Sequence, residues 1–252
     1  MSLEDYAEKA LQIALDAGSQ YCDVRAESTT TRGFVIENGE VENFVSSGDS
    51  GLGIRVLVNG AWGFYSTLSP KSFDALKENI IGAVKAARYY SESKKNKVRL
   101  ADIRSFTDTV DCAVRVTPSI DEMMKIGLES DKIIRDNQRI IKSSVSIHHD
   151  KFHKYFVNSE GSKITQNFDD VMANLTATAH YSGLTESVNT TEGGRGGLEM
   201  ITGNNDLFTI SKSISDKADA LLDAKTAKEE KATVVMNPDF VALLSHEILG
   251  HP

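Results

Sequence analysis

Two Asn-Gly dipeptides constrain the fold of this 252-residue chain more than any other local feature. Asn38-Gly39 and Asn59-Gly60 each follow a run in which apolar and polar residues alternate. Asparagine and glycine tolerate positive φ, which the two central residues of a tight hairpin turn require. The first part of the chain is therefore predicted to form a curled antiparallel meander, with strands over 41–46 and 61–67 and a further turn at 48–51.

Helices and more strands are predicted around this meander. The spacing of apolar residues and the Ser/Asn-Pro starts predict helices over 3–17, from Ser69-Pro70 to about 90, from Thr117-Pro118-Ser119 to about 135, over 207–227, and from Asn237-Pro238 onward. Alternation predicts strands over 140–147, 154–157, 163–166, 171–178 and 232–236, with a turn at 158–161. The expected fold class is α+β, with mixed helices and antiparallel curled sheets.

A polar stretch without periodicity divides the chain. Residues 91–99 are mostly polar and charged, with three lysines and two serines, as is typical of a linker. We therefore expect an N-terminal α/β unit over 1–95, made of a helix, a β-meander and a long helix. A second α/β unit is expected over 96–228, and residues 229–252 begin a third unit that carries the terminal helix.

Charge and composition exclude several classes of protein. The formal net charge is −8, which argues against a nucleic-acid binder because a phosphate-reading surface needs a basic excess. No apolar run reaches the ~18 residues of a membrane span, and the N-terminus does not resemble an export signal. Two cysteines 90 residues apart suggest neither a disulfide framework nor a zinc ribbon. We expect a cytoplasmic protein that binds neither nucleic acid nor membrane.

The last residues of the sequence carry the clearest chemical signal. His246, Glu247 and His251 form an H-E-x-x-x-H pattern on an apolar, helix-like run. Two imidazoles are ligands for zinc or a similar ion, and the carboxylate beside the first is a candidate general base. This grouping is typical of a metal-dependent hydrolase. A chance grouping is the alternative, because a third metal ligand is not evident.

The spacing of the two histidines requires a departure from a regular helix. Five residues rotate by ~500°, which leaves His246 and His251 ~140° apart around an ideal helix. Gly250 allows either a wide i to i+5 turn or a left-handed termination that returns His251 toward His246. Pro252 disfavours continuation of the helix. The local sequence is therefore compatible with metal binding.

Other candidate residues are interpreted as structural. His148 and His149 lie in a predicted strand, His153 in a turn region, and His180 at the end of a strand. Cys22 and Cys112 are interpreted as small core residues rather than ligands. The segment 192–197, Glu-Gly-Gly-Arg-Gly-Gly, lacks the flanking strand and helix of a nucleotide loop, and we expect a mobile loop there.

Several blocks of sequence resemble the TldD/PmbA family, which is also called the modulator of DNA gyrase family. The blocks are Tyr21-Cys22-Asp23-Val24-Arg25, Gly51-Leu52-Gly53-Ile54-Arg55-Val56, Gly60-Ala61-Trp62-Gly63-Phe64-Tyr65-Ser66-Thr67, Asn158-Ser159-Glu160-Gly161 and the terminal histidine motif. They occur in the family's order from about residue 5 to residue 252. The resemblance is to the TldD-like branch, which keeps H-E-x-x-x-H.

This resemblance implies a zinc metallopeptidase that cleaves unstructured peptides, held partly by strand addition. By analogy, His246 and His251 are metal ligands and Glu247 is the catalytic acid/base. Family members act as a homodimer or as a heterodimer with a TldE-like subunit. Their third ligand is a cysteine of a C-terminal domain, which Cys22 and Cys112 do not match.

The resemblance leaves two expectations for the sequence as it stands. In the first, residues 229–252 are the start of a metalloprotease C-terminal domain whose remainder is absent, so the chain is a fragment that lacks the third ligand and is inactive alone. In the second, the chain is a non-catalytic peptide-binding or assembly module of a TldD/TldE-type complex.

Overall fold

The computed structural model describes residues 2–68, 72–102, 104–203, 206–226 and 228–251. The chain forms two compact units, Met1–Leu222 and Asp223–Pro252. Within the described residues, no helix is long and apolar enough to cross a membrane. Helices combine with a largely antiparallel sheet, which confirms the α+β fold class.

The first unit contains twelve of the elements. In chain order they are α1 (Leu3–Asp16), β1 (Tyr21–Glu37), β2 (Glu40–Val58), β3 (Ala61–Leu68), α2 (Phe73–Ser93), β4 (Thr107–Cys112), α3 (Ile120–Arg135), β5 (Ile140–Asn158), β6 (Lys163–Tyr181), β7 (Leu184–Arg195), α4 (Glu199–Thr202) and α5 (Leu207–Leu222). The second unit contains α6 (Pro238–Gly250).

All seven strands belong to one sheet. Their order is β3-β2-β1-β5-β6-β4, and β7 also pairs with β6. Every pairing is antiparallel except that of β4 with β6. The pairing of β1 with β5 carries the sheet across the predicted boundary at residue 95, so both predicted α/β units contribute to it. The division of the chain at that residue stays a prediction.

The helices of the first unit pack on one face of the sheet. One core lies between α1, α2 and residues that include Val24 and Val157, and a second between α3, α5 and residues that include Phe34 and Ile147. Val24 is opposite Val157, and Phe34 is opposite Ile147. Because alternate residues of a strand point to opposite faces, both cores lie on the same side of the sheet. In the described part of this unit, no helix packs on the other face.

Both predicted hairpins are confirmed. Asn38 and Gly39 have φ of 51° and 87°, and Asn59 and Gly60 have φ of 48° and 79°. Positive φ at both central residues matches the twist of the flanking strands. These turns join β1 to β2 and β2 to β3, and so fix the register of the meander.

The helix predictions hold with changes at the ends. Helix α3 begins at the predicted Thr117-Pro118-Ser119 start, where the Ser119 hydroxyl accepts a hydrogen bond from Glu122 N and the Glu122 carboxylate accepts one from Ser119 N. Helix α5 ends at Leu222, five residues before its predicted end. The predicted start Ser69-Pro70 lies outside the described residues, and Ser72 is the N-cap of α2.

Three predictions for strands and loops are wrong, and one strand was missed. No turn interrupts β2 at 48–51, because these residues pair with 27–30 of β1. Residues 192–195 are not a mobile loop, since they complete β7 against β6. The segment 232–236 has no regular structure, and β4 was not predicted. Pairing partners distant in sequence, rather than local residue type, decide the conformation of 48–51 and 192–195 and the formation of β4.

Candidate metal centre

Helix α6 presents the histidine motif. Its N-cap is Asn237, whose side-chain oxygen accepts a hydrogen bond from Phe240 N at 2.9 Å, and Pro238 is its first residue. An asparagine cap followed by proline starts a helix efficiently, because proline lacks an N–H that would need a partner there. The predicted start of this helix is therefore confirmed. Thirteen residues later the helix ends at Gly250.

The two histidines of the motif lie side by side. Their Nε2 atoms are 2.9 Å apart, and the rings meet edge to face at a centroid distance of 4.7 Å. An ideal helix would hold side chains five residues apart on different sides. His251 avoids this because it has left the helix, with φ −125° and ψ 55°. Gly250 stays α-helical and is not among the glycines with positive φ, so neither distortion predicted at this glycine is present.

Glu247 completes a group of three possible ligands. One ligand atom from each of His246, Glu247 and His251 lies within 4.8 Å of the others, and all three residues are exposed. Within the described ranges, this is the only group of three or more His, Cys, Asp or Glu residues with such spacing. The predicted stop residue, Pro252, lies outside the described residues. Helix α6 and the turn at its end thus bring the three predicted site residues together.

The donor set fits zinc. A tetrahedral zinc ion with Zn–N bonds of about 2.0–2.1 Å would hold two imidazole nitrogens roughly 3.3 Å apart. The observed 2.9 Å separation of the Nε2 atoms differs by a few tenths of an ångström, which a small ring rotation supplies. Neutral imidazole and carboxylate are both common zinc ligands in proteins.

Cys22 does not resemble a zinc ligand. Cys22 is completely buried in the core beneath α1 and α2, as predicted, and burial raises the pKa of its thiol to about 12. A thiol with that pKa is protonated at neutral pH, whereas zinc binds the thiolate. Cys112 was predicted to be a core residue, which is wrong, since it is exposed on β4.

Two of the other histidines have structural partners. His149 is buried beside Asp169, with its Nε2 2.6 Å from Asp169 Oδ1. His153 contacts Glu4 and Asn167, both at 2.6 Å. It was predicted to lie in a turn region, which is wrong, since it lies within β5. These contacts support the interpretation of both residues as structural.

Sequence reasoning missed a charged cluster at the start of β1. Asp23 is fully buried and accepts hydrogen bonds from Arg55 Nε at 2.9 Å and Arg55 Nη2 at 2.8 Å, and also one from Arg25. Arg55 lies over the Trp62 ring, 4.6 Å from its centroid, and Arg25 lies over Phe156. The sequence feature that could have indicated this cluster is Asp23, a charged residue within the alternating pattern of β1 and inside one of the family-like blocks.

Comparison with known families decides the relationship. Residues 22–88 match the family model for PmbA/TldA metallopeptidase domain 1, and residues 116–222 match the model for the central domain of the same metallopeptidases. The chain belongs to the PmbA/TldD family. Its resemblance to that family, inferred from the sequence blocks, is thereby confirmed.

Relatives in this PmbA/TldD family carry metalloprotease names. A metalloprotease of Methanocaldococcus jannaschii is 26% identical over 248 residues, which are 97% of this chain and 52% of that protein. A zinc metalloprotease TldD homolog of Saccharolobus solfataricus is 22% identical over 96% of this chain and 52% of its own length. This chain spans about half the length of the curated relatives it matches.

Solved structures share the fold. A Thermotoga maritima protein described as a modulator of DNA gyrase superposes with a TM-score of 0.67 at 15% identity, over 90% of this chain and 50% of that one. TldE from Thermococcus kodakarensis superposes with a TM-score of 0.57 at 11% identity, over 85% and 47%. At these identities the likeness is one of architecture.

Proposed function

We propose that this chain supplies two metal ligands and the acid/base group of a zinc-dependent metallopeptidase that cleaves unstructured peptides or small proteins. The observation that carries the proposal is the 2.9 Å approach of the His246 and His251 Nε2 atoms beside Glu247. Membership of a metallopeptidase family and the metalloprotease names of the relatives support it.

Each residue has a distinct role in this proposal. Zinc, when bound, supplies a Lewis acid that polarises a peptide carbonyl and acidifies a bound water. His246 and His251 hold the ion through their Nε2 atoms. The Glu247 carboxylate accepts the proton of the attacking water and then donates it to the nitrogen of the leaving amine. Glu247 therefore acts first as a base and then as an acid.

The third protein ligand comes, in this proposal, from polypeptide outside residues 1–252. Within the described residues no further His, Cys, Asp or Glu joins the group formed by His246, Glu247 and His251. Catalytic zinc sites commonly have three protein ligands and one open position. The relatives are about twice as long as this chain, which leaves room for such a ligand.

We further propose a dimer, either of two copies or with a TldE-like subunit, working in the cytoplasm. The architectural likeness to TldE from Thermococcus kodakarensis supports a partner of related fold. Two free cysteines, one of them exposed, suit a reducing compartment. The acidic net charge supports a peptide rather than a nucleic acid as the molecule bound.

The test uses the protein expressed from its complete gene, with Glu247→Gln as the decisive variant. We expect Glu247→Gln to keep about one zinc per chain, measured by elemental analysis, and to lose cleavage of a flexible fluorogenic peptide by about 10²-fold or more. His246→Ala and His251→Ala should each lose zinc as well as activity. The control is Glu230→Gln, an exposed glutamate of the same unit.

Two results would contradict this proposal, and the second would favour a non-catalytic assembly module. Peptide cleavage at the wild-type rate by Glu247→Gln would remove that residue's assigned role. The assembly module would be favoured if the wild-type protein binds its full complement of zinc but does not cleave flexible peptides of varied sequence.

A further inference from the structure

The sheet face opposite the helices contains a trough in the first unit. It consists of two depressions of about 470 Å³ and 380 Å³, whose linings share Arg25 and Glu27. One depression extends over β2 and β3, and the other over β5 and β6. The two depressions therefore adjoin one another across the strands, with β1 between them.

Strand register places two rows of residues along this trough. One row is Ser66, Gly53, Arg25, Phe156 and Ile164, and the other is Leu68, Gly51, Glu27, Lys154 and Gln166. Each row crosses five strands, a span of about 19 Å at roughly 4.8 Å per strand. That is the length of about six residues of extended peptide. A short extended peptide therefore matches the groove in length.

Gly53 leaves space in the half of the trough over β2 and β3, although the packing of the fold does not require a glycine at this position. A Cβ at Gly53 would meet only Phe64 Cε2, at 4.0 Å, and Gly53 does not have positive φ. By contrast, a Cβ at Gly51 would lie 2.9 Å from the Thr67 carbonyl oxygen. Packing thus explains Gly51 but not Gly53, where a side chain would only occupy the groove.

Arg25 gives the centre of the trough a positive charge. Its Nη1 bonds to Asp23, which Arg55 also neutralises, so these three groups together carry one excess positive charge. The Arg25 side chain is 58% exposed and lies over the Phe156 ring at 5.2 Å. No other hydrogen bond of its guanidinium to the described residues is present, which leaves N–H donors for an incoming carboxylate.

Apolar surface adjoins this charge. Phe156 and Ile164 are opposite one another on β5 and β6, are both partly exposed, and lie in the same row as Arg25. Lys154, in the second row, forms an ion pair with Glu27 at 3.1 Å. Since that pair is already neutral, Arg25 is the unmatched positive charge next to the apolar floor. Asp49 lines the depression over β2 and β3, beyond the row that contains Glu27.

We propose that this trough binds an extended peptide that has a carboxylate at Arg25 and an apolar side chain against Phe156 and Ile164. The identification of this peptide as a substrate rests on the metallopeptidase function proposed above. The trough itself belongs to the unit Met1–Leu222 and contains none of the proposed metal ligands. Binding therefore needs neither zinc nor Glu247.

The test measures binding of a fluorescein-labelled hexapeptide that contains phenylalanine and glutamate separated by alanine. Fluorescence anisotropy is recorded with the 252-residue chain in EDTA, so that no cleavage takes place. We expect the glutamate peptide to bind about tenfold or more tightly than its glutamine counterpart. Arg25→Gln should abolish this preference, and Gly53→Val should weaken both peptides by obstructing the groove.

The control is Arg32→Gln, which removes the same charge from an exposed residue on the opposite face of β1. Circular dichroism establishes that each variant is folded. Equal binding of both peptides by the wild type, or an equal loss of binding in Arg32→Gln, would overturn the proposal. A third result would also overturn it: sedimentation shows a dimer, Gly53→Val disrupts that dimer, and no peptide binds. The occupant of the trough would then be a second copy of the chain. Failure of the Glu247 test leaves this result unaffected.

Discussion

His149 Nε2 and Asp169 Oδ1 lie 2.6 Å apart, and their side chains are 3% and 0% exposed. The second carboxylate oxygen of Asp169 accepts a hydrogen bond from Val114 N at 3.0 Å, and its main-chain oxygen accepts one from Gly196 N at 2.9 Å. Asp169 thus joins β5, the segment before α3 and the end of β7. These contacts explain how the central domain holds its connecting segments against the sheet.

Removal of the Asp169 carboxylate should destabilise the fold. Asp169→Ala leaves a buried imidazole and a backbone N–H without their acceptor, which costs roughly 1–3 kcal/mol. Urea unfolding measures the loss. The neighbouring Asp170→Asn is the matched control, because Asp170 and Arg195 form a more exposed pair worth about 0–1 kcal/mol. Equal stability of the two variants would contradict this account.

Gly250 should tolerate alanine. A Cβ at this position would lie 3.6 Å from His246 Nδ1, which is ordinary van der Waals contact, and the residue is helical. We expect Gly250→Ala to keep zinc affinity within about threefold and to favour the helix by up to about 1 kcal/mol. A chelator competition assay on the protein expressed from its complete gene measures the affinity. A loss of zinc equal to that of His251→Ala would mean that glycine is required for the turn.

Glu8 should make stability depend on pH in the acid range. Hydrogen bonds from Lys163, and then from Tyr155, hold the pKa of the Glu8 carboxyl below its usual 4.5. A carboxyl with a lowered pKa stabilises the fold above its unfolded-state pKa, and this contribution is lost as pH falls through the folded-state value. Glu8→Gln should therefore be less stable than wild type at about pH 7, by up to about 1 kcal/mol, and this difference should be smaller at about pH 3.

Urea unfolding at the two pH values measures the effect of Glu8→Gln. The control is Glu92→Gln, a change at an exposed residue of α2, for which we expect no such difference. A wild-type stability advantage over Glu8→Gln that is as large at about pH 3 as at about pH 7 would exclude the charge as its source.

Two glycines should respond to alanine in opposite ways. A Cβ at Gly193 would lie 2.1 Å from the Val171 carbonyl oxygen, and φ there is +145°, so Gly193→Ala should destabilise β7 by roughly 1–3 kcal/mol. A Cβ at Gly82, exposed in the middle of α2, would meet nothing within 4 Å beyond the adjacent backbone of its own helix. Gly82→Ala should therefore stabilise the protein by up to about 1 kcal/mol. Thermal unfolding of both variants measures the two effects, and destabilisation in both would contradict the helix argument.

Local sequence predicted some elements well because the forces that form them are local. Asn-Gly turns require positive φ wherever they occur, and Ser119 and Asn237 cap helices through backbone groups three residues away. The histidine motif was recognisable for the same reason, because its residues lie within six positions. The assignment of these residues to a metal site stays a prediction.

The errors occurred where a distant strand decides the conformation. Glycine and serine at 48–51 are typical of a turn, yet β1 supplies partners for this segment along its whole length. The segment 192–195 has two glycines with positive φ, yet it pairs with β6. Hydrogen bonds to a neighbouring strand can outweigh the weak local preference of such residues.

The sequence by itself determined the hairpin turns, the helix starts, the family-like blocks and the chemical character of the final motif, because each depends on residues close together in the chain. Only the tertiary structure decided that one sheet joins both halves of the first unit, that all its described helices cover one face, and that Arg25 lies in an open trough. These features depend on strand register between residues more than 100 positions apart, such as Arg25 and Phe156. Local propensity carries no information about such pairings.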